Sequence, residues 1–68
     1  MMEKHEITIH CHDMPFMIMQ AQDADTGVVV ANMRLSLGQY DIHDAIELGR
    51  RYSKLGNRVE IFEPKAQS

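Results

Sequence analysis

The chain has 68 residues, 44% of them hydrophobic and 25% charged, with a formal net charge of −3. That length bounds the molecule to one small domain, for which only about 60% of the unfolded chain's surface is buried, and the composition is too apolar for a disordered segment. The acidic balance argues against a nucleic-acid binder, whose contact surface needs surplus Lys and Arg, and the lone cysteine excludes an internal disulfide framework.

The elements follow in chain order. From Glu6 to His12 the odd positions Ile7, Ile9 and Cys11 are apolar and the even ones polar, the period-two pattern of a half-buried strand, ended by Pro15. Residues 16 to 22 read as a second strand with Met17, Met19 and Ala21 on one face and Phe16, Ile18 and Gln20 on the other. Asp23, Asp25 and Gly27 supply a hairpin turn, since Asp side chains bond neighbouring amides and Gly accepts positive φ. The third strand is expected from Val28 to Leu37, with Val29, Ala31, Met33, Leu35 and Leu37 facing one way and Val28, Val30, Asn32, Arg34 and Ser36 the other.

After Gly38 the period changes to 3.6. Asp41 is placed as N-cap with Asp44 three residues on, and Ile42, Ala45, Ile46, Gly49, Tyr52 and Leu55 form the apolar stripe. Gly56 and Asn57 close the helix. Early Asp41, Asp44 and Glu47 and late Arg50, Arg51 and Lys54 match the helix macrodipole, which accounts for that charge asymmetry without a ligand. Residues 58 to 63 form a last strand with Val59 and Ile61 on one face, stopped by Pro64.

The expected fold is therefore α+β: one small domain over residues 1–68, a four-stranded mixed sheet in the order β-β-β-α-β with one helix packed on one face, frayed at about 1–4 and 64–68. A meander of the first three strands followed by a right-handed crossover gives the expected sheet order 4-1-2-3.

One helix covers one face of such a sheet, so Phe16, Ile18, Val28, Val30 and Phe62 are left opposite it. A contiguous apolar patch from three strands marks an interface. His10 and His12, two apart on the first strand, stand beside that patch, while Cys11 falls in the apolar register of Ile7 and Ile9 as a small buried thiol. Imidazoles there offer polar contacts, and the class titrates between about pH 5 and 8.

The candidate function is a non-catalytic protein-interaction module, with no cofactor and no metal. It buries Phe16, Ile18, Val28, Val30 and Phe62 with His10 and His12 against a protein partner and is steered by Asp23, Asp25, Glu60 and Glu63, or it self-associates as a homodimer through the same face or an edge strand. The acidic charge suits a partner with a basic nucleic-acid-binding surface. Compact acidic virus-encoded inhibitors, anti-CRISPR proteins among them, occlude such surfaces; the comparison rests on size and charge, and no motif carries a family resemblance.

Two alternatives compete. A sheet-and-helix module binds nucleic acid through Arg34, Arg50, Arg51, Lys54 and Arg58, but the acidic hairpin tip repels phosphate. A small metal-binding protein uses His10 and His12, whose shared face and spacing suit zinc or copper, with Asp13, His5 or His43 as third ligand. Catalysis has least support: Cys11 and its flanking histidines diverge on a strand, no Gly-rich phosphate loop follows one, and turn-making and capping explain the aspartate pairs. The apolar runs are too short for a membrane helix, and without a secretory signal pattern a cytoplasmic location is expected.

Overall fold

A computed structural model describes residues 6–65. It contains β1 (Ile7–His12), β2 (Met17–Asp23), β3 (Val29–Leu35), α1 (Ile42–Lys54) and β4 (Asn57–Pro64). The expected order of elements and the single mixed sheet are present, so the fold is α+β, and no helix among the described residues is long and apolar enough to cross a membrane.

The sheet order is β1-β4-β2-β3, which corrects the expected 4-1-2-3. β4 inserts between β1 and β2, parallel to the first (Ile7↔Val59, Ile9↔Ile61) and antiparallel to the second (Met19↔Ile61, Ala21↔Val59). The reason lies in burial: Val59 and Ile61 are 1% and 0% exposed, and an edge position would have left one flank of this apolar strand unpaired. The link from β1 to β2, residues 13–16, thus bridges the end of β4 rather than making a tight turn. Four extended residues reach roughly 13 Å, enough for the roughly 10 Å of two strand spacings. β4 runs to Pro64, and the Lys65 N–H donates to the His12 carbonyl at 3.0 Å at this end of the sheet. The expectation of fraying at residues 1–4 and 66–68 lies outside the described residues.

The core lies on the helix side: Met17, Met19 and Ala21 of β2, Leu35 of β3, Val59 and Ile61 of β4, and Ala45 of α1. α1 starts with the expected capping box, the Asp44 N–H donating to the Asp41 carboxylate and the Asp41 N–H to that of Asp44, each at 3.0 Å. Its buried residues are all small: Ala45, Gly49 and Ser53 recur at i, i+4 and i+8. A Cβ on Gly49 would lie 2.9 Å from Val59 Cγ1 and 3.5 Å from Ile7 Cδ1, so glycine is what allows the helix to sit this close to the sheet. Gly56 ends the helix at φ 91°, and the Asn57 side-chain amide donates to the Tyr52 carbonyl at 3.0 Å.

Two expectations about the helix side are corrected. Leu55 is exposed, and the buried position of that stripe belongs to Ser53. Cys11 is exposed, not buried; it sits near the end of an edge strand, and α1 packs mainly on β4, then β2, and much less on β1.

The hairpin forms as read. The amides of Asp25 and Thr26 donate to Asp23 Oδ1 at 2.9 and 3.0 Å, and Gly27 adopts φ 78°. The ladder shifts at its loop end: Ala21 pairs with Ala31, but Gln22 pairs with Val29, leaving Val30 as the extra residue of a bulge. β3 ends at Leu35, short of the expected Leu37, because the Ser36 carbonyl accepts from the amides of Gln39 and Tyr40 in a turn.

Two outcomes follow from this packing. Gly49→Ala gains about 1 kcal/mol in helix propensity but overpacks a closed seat, which costs about 1–3 kcal/mol; a net loss on the order of 1 kcal/mol is expected in urea denaturation. The backbone amides of Thr26 and Asp25 hold the Asp23 carboxyl below its ordinary 3.8. Its folded pKa is thus lowered, so its stabilising contribution is present above pH 3.8 and is lost as pH falls through the folded value. The stability gap between wild type and Asp23→Ala, followed by thermal melting, should narrow as the pH drops below that point.

Candidate interaction surface

Strand register decides which side chains meet on the face that α1 leaves open. Cross-strand partners share a face, so the pairs His10↔Phe62, Phe62↔Ile18 and Ile18↔Arg34 lay one row across all four strands. The next row is Thr8, Glu60, Gln20 and Asn32. Beyond it, Arg58, Gln22 and Val29 form a third.

The first row, with His12 and Phe16 beside it, is a connected set of planar groups. The Arg34 guanidinium lies over the Phe16 ring at 4.2 Å from its centroid. His12 meets the edge of Phe16 at 5.7 Å and tilts toward Phe62 at 6.2 Å. His10 stacks on Phe62 at 4.8 Å with 19° between the planes. Such ring and cation contacts contribute about 0.5–1.5 kcal/mol each and hold the side chains in place.

The two imidazoles are also fixed by hydrogen bonds. His12 Nε2 lies 2.6 Å from the Phe16 carbonyl oxygen, an obligate acceptor, so this nitrogen carries hydrogen and donates. His10 Nε2 donates to Glu60 Oε1 at 3.0 Å. Both partners of that pair are about 38% exposed, so it orients the ring more than it stabilises the fold. Among the described residues no group of three His, Cys, Asp or Glu side chains is placed to hold a metal ion, and the Nε2 atoms of His10 and His12 are engaged as above.

Beyond the planar groups the face becomes polar. Glu6, Thr8, Gln22, Arg58 and Glu60 line an open hollow of about 440 Å³. Charges of both signs are interleaved here, with Arg58 and Arg34 against Glu6 and Glu60, so the open face is not the acidic part of the molecule.

Of the residues singled out in the sequence, His10, His12, Phe16, Ile18, Glu60 and Phe62 come together. Val28 and Val30 do not join them: both are exposed, at 61% and 49%, but they lie at the hairpin end of the edge strand, where the bulge interrupts alternation. Asp23 and Asp25 sit in the turn itself, and Asp23 Oδ1 is already accepting turn amides. Glu63 pairs with Cys11 and alternates with Phe62, which sets it on the helix-side register. Arg34 and Gln20 were not among the expected interface residues. Their signal was strand parity, but the contact of Arg34 with Phe16 depends on the register Ile18↔Arg34, which the loop length fixes.

Comparison with protein-family models, with curated proteins and with solved structures finds no match to this chain.

The stacked pair has a spectroscopic consequence. The His10 ring protons should resonate upfield of random-coil positions through the Phe62 ring current and return toward them in Phe62→Leu, read by proton NMR; unshifted wild-type signals would mean the rings do not stack.

Proposed function

We propose that the chain is a non-catalytic interaction module that binds a protein partner through the open face of its sheet. The observation that carries this reading is the row of Arg34, Ile18, Phe62 and His10, bordered by Phe16 and His12, on a face that no other element of the described chain covers. Interface centres are enriched in aromatic residues and Arg and depleted in Lys, and this face carries Phe16, Phe62, Arg34 and Arg58 and no Lys among its rows. The polar amides of Gln20, Gln22 and Asn32 form the kind of rim that excludes water around a few anchors. Because stacking and hydrogen bonds already hold the anchors, less side-chain entropy is lost on binding.

The net charge of −3 favours encounter with a basic partner. The finer form of the reading, an antagonist that occludes a basic nucleic-acid-handling surface, rests on size and net charge alone. Direct binding of nucleic acid is disfavoured by the same geometry: a base stacks on an exposed ring face, and here His10 lies on Phe62 and Arg34 on Phe16.

Affinity capture from extracts of the native host should recover a protein with wild type and lose it with Ile18→Glu, while circular dichroism of the variant is unchanged. Arg34→Ala should weaken the purified complex roughly tenfold or more, about 1.4 kcal/mol or above. Equal recovery with wild type and Ile18→Glu would refute the reading, as would salt-dependent binding of labelled nucleic acid with no protein partner.

A further inference from the structure

We infer that the free edge of β1 takes up an extended segment of a protein partner, which adds to the sheet as a further antiparallel strand with an apolar side chain opposite Ile9 and a Lys or Arg opposite Thr8. This goes beyond the reading above: it assigns a strand edge and the chemistry of what the edge receives.

One hydrogen bond sets the phase of this edge. The Lys65 N–H donates to the His12 carbonyl, so His12 turns its backbone groups toward β4. Backbone groups of successive residues point to opposite sides of a strand. Thr8 and His10 therefore also face β4, while Ile7, Ile9 and Cys11 present N–H and C=O outward. Among the described residues β1 pairs with β4 alone. Such an edge is a template for another strand unless Lys, Pro, a bulge or a covering element guards it. β1, with sequence ITIHCH, has neither Lys nor Pro, and its ladder with β4 runs without a shift from Ile7 to His12. The other edge, β3, is interrupted by the bulge at Val30. On the helix side of β1, Ile7 reaches the Gly49 seat, but Ile9 in the same register is 46% exposed and Cys11 is exposed as well. An apolar side chain opposite Ile9 covers that area.

Charge names the occupant. The hollow of about 440 Å³ lies beside Thr8 and is lined also by Glu6, Gln22, Arg58 and Glu60. Thr8 pairs with Glu60, so a residue added opposite Thr8 starts roughly 10 Å from Glu60, two strand spacings away. The short Thr8 side chain leaves that gap to a long one. Two carboxylates against one guanidinium give the hollow a surplus negative charge, and His10 donates to Glu60 Oε1, which leaves Oε2 for a Lys or Arg. A second copy of this chain fits poorly as occupant: its β1 carries no Lys or Arg and would bring another Glu6 to the same edge.

NMR of the isotope-labelled full chain, titrated with a short synthetic peptide in which lysine and valine alternate, tests this. The amide protons of Ile7, Ile9 and Cys11 should shift downfield and exchange more slowly as peptide is added, with those of β3 unmoved. Valines opposite Ile7, Ile9 and Cys11 exchange the new hydrogen bonds, so methylating the valine amide nitrogens should abolish binding and methylating those of the lysines should not. Ile9→Lys should weaken binding at least about tenfold with an unchanged circular dichroism spectrum, and Glu60→Gln about twofold to fivefold. Ile18→Glu, on the open face, should leave it intact. Unchanged exchange at Ile7, Ile9 and Cys11, equal binding of the valine-methylated peptide, or equal binding of a peptide with glutamate in place of lysine would overturn the inference. Binding lost with Ile18→Glu but kept with Ile9→Lys would also overturn it and place the peptide on the open face. Sedimentation of the chain alone as a dimer that Ile9→Lys disrupts would overturn it too, giving the edge to a second copy.

Discussion

The close approach of α1 to β4, where Gly49 lies against Val59, sets the terms for the rest of the molecule. Ala45, Gly49 and Ser53 give the helix a flat underside, and the sheet supplies Val59, Ile61, Met17 and Met19 beneath it. A helix with its side chains is about 10–12 Å across, whereas four strands spaced about 4.8 Å apart make a wider surface. Centred on β4 and β2, it covers the middle of one face and leaves both edges thinly protected. The exposure of Ile9 and Cys11 on one edge and of Val29 and Val30 on the other is the direct result.

The same seat leaves the second face of the sheet open, and the chain furnishes that face differently. In place of an aliphatic layer it carries rings and planar charged groups stacked on one another, so that apolar area and hydrogen-bonding groups are presented together. Arg34 and His10 shield the faces of Phe16 and Phe62 in the isolated chain, which lowers the exposed apolar area without removing the anchors. The acidic surplus sits elsewhere, in the hairpin turn and the first turn of α1, where it makes backbone hydrogen bonds. Under the proposed interaction reading, charge steers at long range while the near-neutral face makes contact, a division of labour built from local turn and cap chemistry.

Most of the local structure was legible in the sequence. The alternation of Ile7, Ile9 and Cys11, the Asp23 to Gly27 turn, the Asp41 and Asp44 cap and the change of period after Gly38 each depend on neighbours within a few residues. Strand order was not legible, because it depends on whether β1 closes against β2 or admits β4 between them, and the two arrangements use the same alternation. The bulge at Val30 was hidden for a related reason: three successive valines carry no parity signal, and only pairing with Ala21 and Gln22 shows where the register slips. Burial of Ser53 in place of Leu55 escaped a hydrophobic pattern because the seat selects small volume rather than apolarity. The open-face cluster was legible for Phe16, Ile18, Phe62, His10 and His12 and incomplete for Arg34, whose place over Phe16 exists only once the hairpin register is set.

The proposed division of the sheet into a face that holds the helix and a face that meets a partner is tested most directly by NMR of the isotope-labelled chain titrated with the protein that affinity capture recovers. Chemical-shift changes centred on His10, Ile18, Arg34 and Phe62, with Ala45, Gly49 and Ser53 unaffected, are the expected result. Changes centred on α1, with the His10 and Phe62 signals unmoved, would contradict it.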